Sequence, residues 1–158
     1  MRYISPLRLA IIALALVGIG ISGYLTSVHY AGRPIACGGL GSCETVNTSA
    51  YASVAGIPVA LLGLGAYLVI AGLALTAGRV PWAAGALVFA ALVGVLYSGY
   101  LTWVELAVLH AVCLWCAASA VVITAIAVLA VLSYLRGTEP ESARVTPAPI
   151  PTQRAARR

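Results

Sequence analysis

Four long apolar runs, separated by one polar stretch and two short breaks, limit most tightly what this chain can become. They extend from Leu9 to about Tyr30, from about Ile57 to Ala77, from Trp82 to about Val104, and from near Ala111 to Leu135. At about 1.5 Å per residue each is long enough to cross the roughly 30 Å hydrocarbon core of a bilayer as a helix. A backbone in hydrocarbon must satisfy its own hydrogen bonds, so such runs become helices rather than loops or open sheet edges. Composition agrees: 8% of the residues are charged, where soluble domains carry about 25%. The expected fold class is an all-α membrane protein, a four-transmembrane-helix bundle over residues 1–136 with one long extracytoplasmic loop between helices 1 and 2. Residues 137–158, rich in proline and arginine and without apolar periodicity, read as a disordered cytoplasmic tail.

The first run is expected to stay as an uncleaved span. It is longer than the roughly 7 to 15 apolar residues of a secretory signal, and no small-x-small cleavage site comes after it. Pro34-Ile35-Ala36-Cys37 only faintly matches a lipoprotein cleavage box, since proline stands where leucine is expected.

The net charge of +5 comes from arginines, most of them in the tails, so it speaks to membrane topology rather than to nucleic-acid binding. With both termini cytoplasmic, Arg2, Arg8, Arg79, Arg136, Arg144, Arg154, Arg157 and Arg158 lie inside and only Arg33 outside. The expected location is therefore an inner or plasma membrane, crossed several times. All four cysteines then fall on the extracytoplasmic side, where disulfides form and persist.

Those cysteines are Cys37 and Cys43 in the polar stretch, and Cys113 and Cys116 at the head of the last apolar run. A Cys-x-x-Cys pair in the first turn of a helix shares one face, and unpaired backbone N–H groups there favour a thiolate. Such a pair suits redox chemistry; half of a structural zinc site and two buried apolar residues are the other readings. Four cysteines at one surface, two on a Gly-rich loop and two on a rigid helix head, suggest two dithiol pairs that exchange electrons. In the loop, Ser42 is expected to cap a short helix from Cys43 to about Val54. Gly56 suits a helix stop, and Pro58 the first turn of the next helix.

An internal repeat reinforces the pairing. A shift of 76 residues superposes Ala15-Leu16-Val17-Gly18 on Ala91-Leu92-Val93-Gly94, Ser22-Gly23-Tyr24-Leu25-Thr26 on Ser98-Gly99-Tyr100-Leu101-Thr102, and Cys37 on Cys113. Spans one and three are thus expected to run in the same direction and to deliver a cysteine each to one membrane surface.

In this order the motifs resemble the vitamin K epoxide reductase family in its bacterial disulfide-forming form, over roughly Leu9 to Leu135. The resemblance rests on Cys37 and Cys43, on Ser49 six residues beyond Cys43, on Gly56-Ile57-Pro58, and on Cys113-Leu114-Trp115-Cys116. It implies a bundle enclosing a quinone, menaquinone or ubiquinone, with Cys116 nearest the quinone and Ser49 able to hydrogen-bond its carbonyl. It further implies that Cys113 exchanges with Cys37 and that Cys43 faces a separate extracytoplasmic thioredoxin-fold partner, since the thioredoxin domain fused to some bacterial relatives is not found here. Ala120 stands where animal members carry a tyrosine, and Ala55 near where they carry an asparagine.

The function expected is thus membrane thiol–quinone oxidoreduction. Electrons would pass from the partner through the loop pair and the Cys-x-x-Cys pair to quinone. Thioredoxin-fold dithiols span about −270 to −120 mV, and an oxidising quinone can drain even the upper end, which makes disulfide formation the expected direction. A structural membrane protein with inert disulfides is the rival reading; a transporter would want a charged group at mid-membrane, which these spans do not offer. His29 and His110, at the outer ends of spans, and Glu105 read as solvated groups. Among the aromatics of the interfacial belts, only Trp115 is a candidate wall for the quinone pocket.

Overall fold

A computed structural model describes residues 5–37 and 42–137. The expected tail beyond Gly137 lies outside the described residues, as do Gly38, Gly39 and Gly41. Within them the chain forms five α-helices: α1 (Pro6–Ala31), α2 (Cys43–Asn47), α3 (Val59–Thr76), α4 (Ala83–Trp103) and α5 (Leu114–Gly137). All but α2 belong to stretches long and apolar enough to cross a membrane, and the architecture is an all-α four-span bundle.

The helix ends reflect local chemistry. Ser5 caps α1, its hydroxyl accepting from the Arg8 N–H at 3.4 Å, and Pro6 occupies the first turn, where a missing N–H costs nothing. At the other end Gly32 takes a left-handed conformation, φ 58°, and its N–H closes onto the last carbonyls.

The four long helices form a ring in the order α1, α3, α4, α5, each packing on its two neighbours. Without a hydrophobic drive between helices in lipid, close approach of small residues holds such a bundle. Ala15 and Gly18 of α1, Ala74 of α3, Ala91 of α4 and Ala127 and Ala130 of α5 are accordingly buried. The two copies of the repeat occupy opposite corners of the ring and behave alike. Thr26 and Thr102 donate to the carbonyls of Ser22 and Ser98, and Gly18 and Gly94 lie against the Tyr67 ring and the Ile123 side chain.

The interior has two parts. An apolar core, including Ile11, Tyr67, Ile70, Leu87 and Ile126, fills the end that carries Arg8, Arg79 and Arg136. At the opposite end a smaller cluster holds Leu25, Val28, Ile35, Cys43 and Cys113.

The connection between the first two spans departs from expectation. Its helix stops at Asn47 rather than near Val54, and Ser42 makes no side-chain cap. Beyond it come a 3-10 turn (Ala50–Ala52) and a two-strand hairpin, β1 (Ser53–Val54) and β2 (Ile57–Pro58), with Ser53 opposite Pro58. Gly56 is therefore not a helix stop. With Ala55 it forms a hairpin turn that needs positive φ at both positions, 51° and 81°. Pro58 is the N-cap of α3 rather than a first-turn residue. The last helix begins at Leu114, three residues later than expected, because α4 ends in a π turn, Val104–Val108, and an irregular link to Cys113.

Gly18 offers a direct check on this packing. A Cβ there would meet the Tyr67 ring, whose hydroxyl is tied to Ser119 on α5 by contacts of 3.0 and 2.9 Å. Gly18→Ala is expected to destabilise the protein by about 1–3 kcal/mol, read as a lowered Tm in detergent. Gly20→Ala, with open space around it, should leave stability within about 0.5 kcal/mol of wild type; equal effects at the two positions would contradict the packing.

Candidate redox site

The site grows from the π turn that ends α4. A π turn inserts one extra residue into the helical ladder and re-aims the backbone beyond it; here the Leu109 N–H reaches back to the Val104 carbonyl at 2.9 Å. The re-aimed chain folds around Glu105. Its backbone carbonyl accepts the Ala111 N–H at 3.0 Å, and its carboxylate accepts the Cys113 N–H, also at 3.0 Å. Glu105 is only 5% exposed, so the expectation of a solvated loop charge is corrected. The sequence did carry a signal: Glu105 is the only acid between Glu44 and Glu139, and an ionisable residue at the edge of a span is a functional candidate by default.

This placement puts Cys113 at the N-cap of α5 rather than inside its first turn. The Ala117 N–H donates to the Cys113 carbonyl at 2.9 Å, and the Cys116 N–H to Cys113 Sγ at 3.4 Å. Cys113 Sγ thus does the capping work of a serine oxygen, at the positive end of the helix dipole. A hydrogen bond from the Cys116 thiol pulls the Cys113 thiol below the usual cysteine range, outweighing burial and the Glu105 charge, which push it up. Both cysteines are free thiols, Cys113 buried and Cys116 half-buried.

Cys37 and Cys43 form a disulfide with Cα atoms 6.3 Å apart, within the usual range. It lies against the helix head through contacts from both flanks. The Ser42 N–H donates to the Val112 carbonyl at 3.0 Å. The Ala36 peptide is gripped twice, its N–H by the Tyr24 hydroxyl at 3.1 Å and its carbonyl by the Trp115 indole N–H at 3.0 Å. The rings of Tyr24 and Trp115 sit 5.0 Å apart, so one aromatic pair from α1 and α5 clamps the residue before Cys37. Cys43 is the inner sulfur: it is 1% exposed and clusters with Cys113, whereas Cys37 is half-buried. The resemblance implied an outward-facing Cys43; the structure puts Cys43 inside.

Below the cysteines, between the sulfur cluster and the apolar core, lies a cavity of about 400 Å³. Cys113, Cys116, Glu105 and Ser119 line its sulfur end, and Ser49 and Asn47 reach it from the loop. Ser49, singled out by the resemblance, donates its hydroxyl to the Val46 carbonyl at 2.7 Å. Asn47 was missed, because a loop asparagine reads as a turn residue unless the fold aims it inward. Trp115 is not among the lining residues; the clamp on Ala36 is its place. His29 is half-buried against the Tyr30 ring, and His110 is exposed at φ 47°. Among the described residues no group of three or more His, Cys, Asp or Glu is arranged to hold a metal ion.

The arrangement is a closed loop disulfide stacked on a pair of thiols, which in turn open onto an apolar chamber. Thiol–disulfide exchange requires a thiolate within reach of a disulfide sulfur. A family model described as the vitamin K epoxide reductase family matches residues 9–131.

Proposed function

The chain belongs to the vitamin K epoxide reductase family, and on that premise we propose that it is a membrane thiol–quinone oxidoreductase. It passes electrons from a reduced thioredoxin-fold partner to a quinone, supporting disulfide formation outside the cytoplasm. The observation that carries this reading is the cavity at the foot of the Cys113–Cys116 pair. Its walls are mostly apolar side chains of all four long helices, and the same lining holds both terminal cysteines and the polar groups of Asn47, Ser49, Glu105 and Ser119. That distribution fits a flat ring with polar oxygens and an isoprenoid tail. Ser49, Asn47 and Ser119 would hold the ring oxygens, and Cys116 would be the sulfur facing them. A bound quinone supplies a two-electron, two-proton acceptor.

The rest of the work falls to the chain's own groups. The partner's thiolate attacks Cys37, the more exposed loop sulfur, and releases Cys43; a second partner thiol then frees Cys37. Cys43, already beside Cys113, attacks it when the terminal pair is a disulfide and displaces Cys116. Cys37 closes onto Cys43 and restores the loop disulfide, leaving Cys113 and Cys116 reduced. The N-cap position of Cys113 helps it to leave and to attack as a thiolate. The Trp115–Tyr24 clamp keeps the loop seated through these exchanges. This order assigns the partner to Cys37 and the inward transfer to Cys43, the reverse of the order that the resemblance implies; burial of Cys43 is its support.

The function is tested with purified protein, a reduced thioredoxin-fold protein and a quinone, monitored by quinone absorbance. Wild type is expected to consume quinone at the rate at which the partner is oxidised, and Cys116→Ala to abolish consumption, a loss of more than about 1000-fold. Partner oxidation without quinone consumption would point to a thiol exchanger without a quinone site.

The relay order is tested by trapping. In Cys37→Ser, Cys43 has no loop partner, so non-reducing proteolysis and mass spectrometry should recover a Cys43–Cys113 disulfide. A Cys37–Cys113 link from Cys43→Ser, with no Cys43–Cys113 link from the first variant, would reverse the order.

Orientation is set by arginine placement: Arg8, Arg79 and Arg136 mark the cytoplasmic end and the cysteines the opposite one. Reporters fused after Arg136 or inserted at Arg79 are expected to report cytoplasm. An external signal from either would move the cysteines to the reducing side.

A further inference from the structure

The proposed relay, on whose reading this inference rests, leaves one buried ionisable group without a task. Glu105 lines the cavity beside both terminal sulfurs, and its carboxylate fixes the Cys113 N–H at 3.0 Å. The Cys116 thiol lines the same cavity, three residues beyond Cys113. No arginine, lysine or histidine is among the described residues lining the cavity; the other ionisable groups there are Tyr51, Tyr67, Tyr97 and the two cysteines. A buried carboxylate with no cation beside it is costly. One backbone N–H could be satisfied by a neutral side chain at far lower cost, so positioning alone does not account for a charge at this place.

We propose that Glu105 is the proton acceptor for the Cys113–Cys116 pair, taking the Cys116 thiol proton as the pair closes to a disulfide. The Cys116 N–H donates to Cys113 Sγ at 3.4 Å and the Cys113 N–H to the Glu105 carboxylate at 3.0 Å, so the Cys116 residue and the carboxylate flank Cys113. When Cys113 is a thiolate, closure breaks the Cys116 S–H bond, forms the Cys113–Cys116 S–S bond, and puts the proton on Glu105. A quinone in the cavity would take the two electrons and two protons, one proton by way of Glu105 and the other from water. In the return step, attack on Cys113 breaks the S–S bond and releases Cys116 as a thiolate; Glu105, having passed its proton on, is first reprotonated from water and then returns a proton to Cys116. Because Glu105 takes the proton of a reacting sulfur in this proposal, it counts as a catalytic residue rather than a positioning one.

The test uses the full chain with Cys37→Ser and Cys43→Ser, so that only the terminal pair is redox-active. Infrared difference spectra are recorded as the pair is electrochemically oxidised and reduced. Oxidation is expected to add a protonated-carboxyl band that shifts with isotope-labelled glutamate and is lost in Glu105→Gln. All acidic residues of the chain are glutamates, and of those described only Glu105 adjoins the pair. The labelling arm does not depend on folding of the variant. In an otherwise wild-type chain, Glu105→Gln keeps an oxygen for the Cys113 N–H and should slow quinone reduction by about 100-fold. Absence of the band in a chain whose parent reduces quinone overturns the proposal. So does a Glu105→Gln variant that reduces quinone at the parental rate. If the band is present but the parent reduces no quinone, the proton role of Glu105 stands and the quinone reading falls.

Discussion

The structure depends on how a backbone leaves a membrane-spanning helix without stranding its polar groups. At the end of α4 the chain must change direction at the edge of the hydrocarbon, where a free N–H or carbonyl costs several kcal/mol. The π turn and Glu105 solve this together: one carbonyl and one carboxylate accept the Ala111 and Cys113 N–H groups. The remaining features of the site depend on that junction. Cys113 is held at the N-cap of α5, its sulfur takes the Cys116 N–H, and the pair opens on the cavity.

A second consequence is that the cysteine cluster is packed against the bundle without being locked. The loop disulfide is fastened to the bundle by backbone contacts at Ser42 and Ala36, and by one aromatic pair. Each such hydrogen bond is worth about 1 kcal/mol, enough to seat the loop and little enough to let it lift. The apolar core lies at the far end of the bundle, away from the chemistry. Stability and redox work are thus divided between the two ends, and the cavity lies between them.

Much of this was legible in the sequence, for reasons that differ by feature. The spans were found within a few residues because apolar length is a direct consequence of bilayer thickness. The repeat visible in the sequence has a structural counterpart in Thr26 and Thr102, and in Gly18 and Gly94, because helix packing repeats where small residues repeat. The loop resisted. Its hairpin turns on Ala55 at positive φ, a conformation that alanine does not advertise, and a helical reading of 43–54 was the natural error. Glu105 was misjudged, and Asn47 of the loop missed, for one shared reason: whether a polar side chain at the membrane surface points to water or inward is decided by neighbours distant in sequence. The indole of Trp115, for example, is set by Ala36, 79 residues away. Burial of Cys43 rather than Cys37 is a fact of the same kind.

The central claim is that the cavity at the foot of Cys116 is where quinone is reduced. A ring-substituted photoreactive quinone, irradiated with the protein in lipid and mapped by mass spectrometry, tests this most directly. The account expects label on the peptides carrying Asn47 and Ser49 and on the helix turn with Ser119, competed by excess unlabelled quinone. Label spread over the outward residues Phe89, Leu96 and Val121, without competition, would place quinone in the surrounding bilayer and contradict the claim.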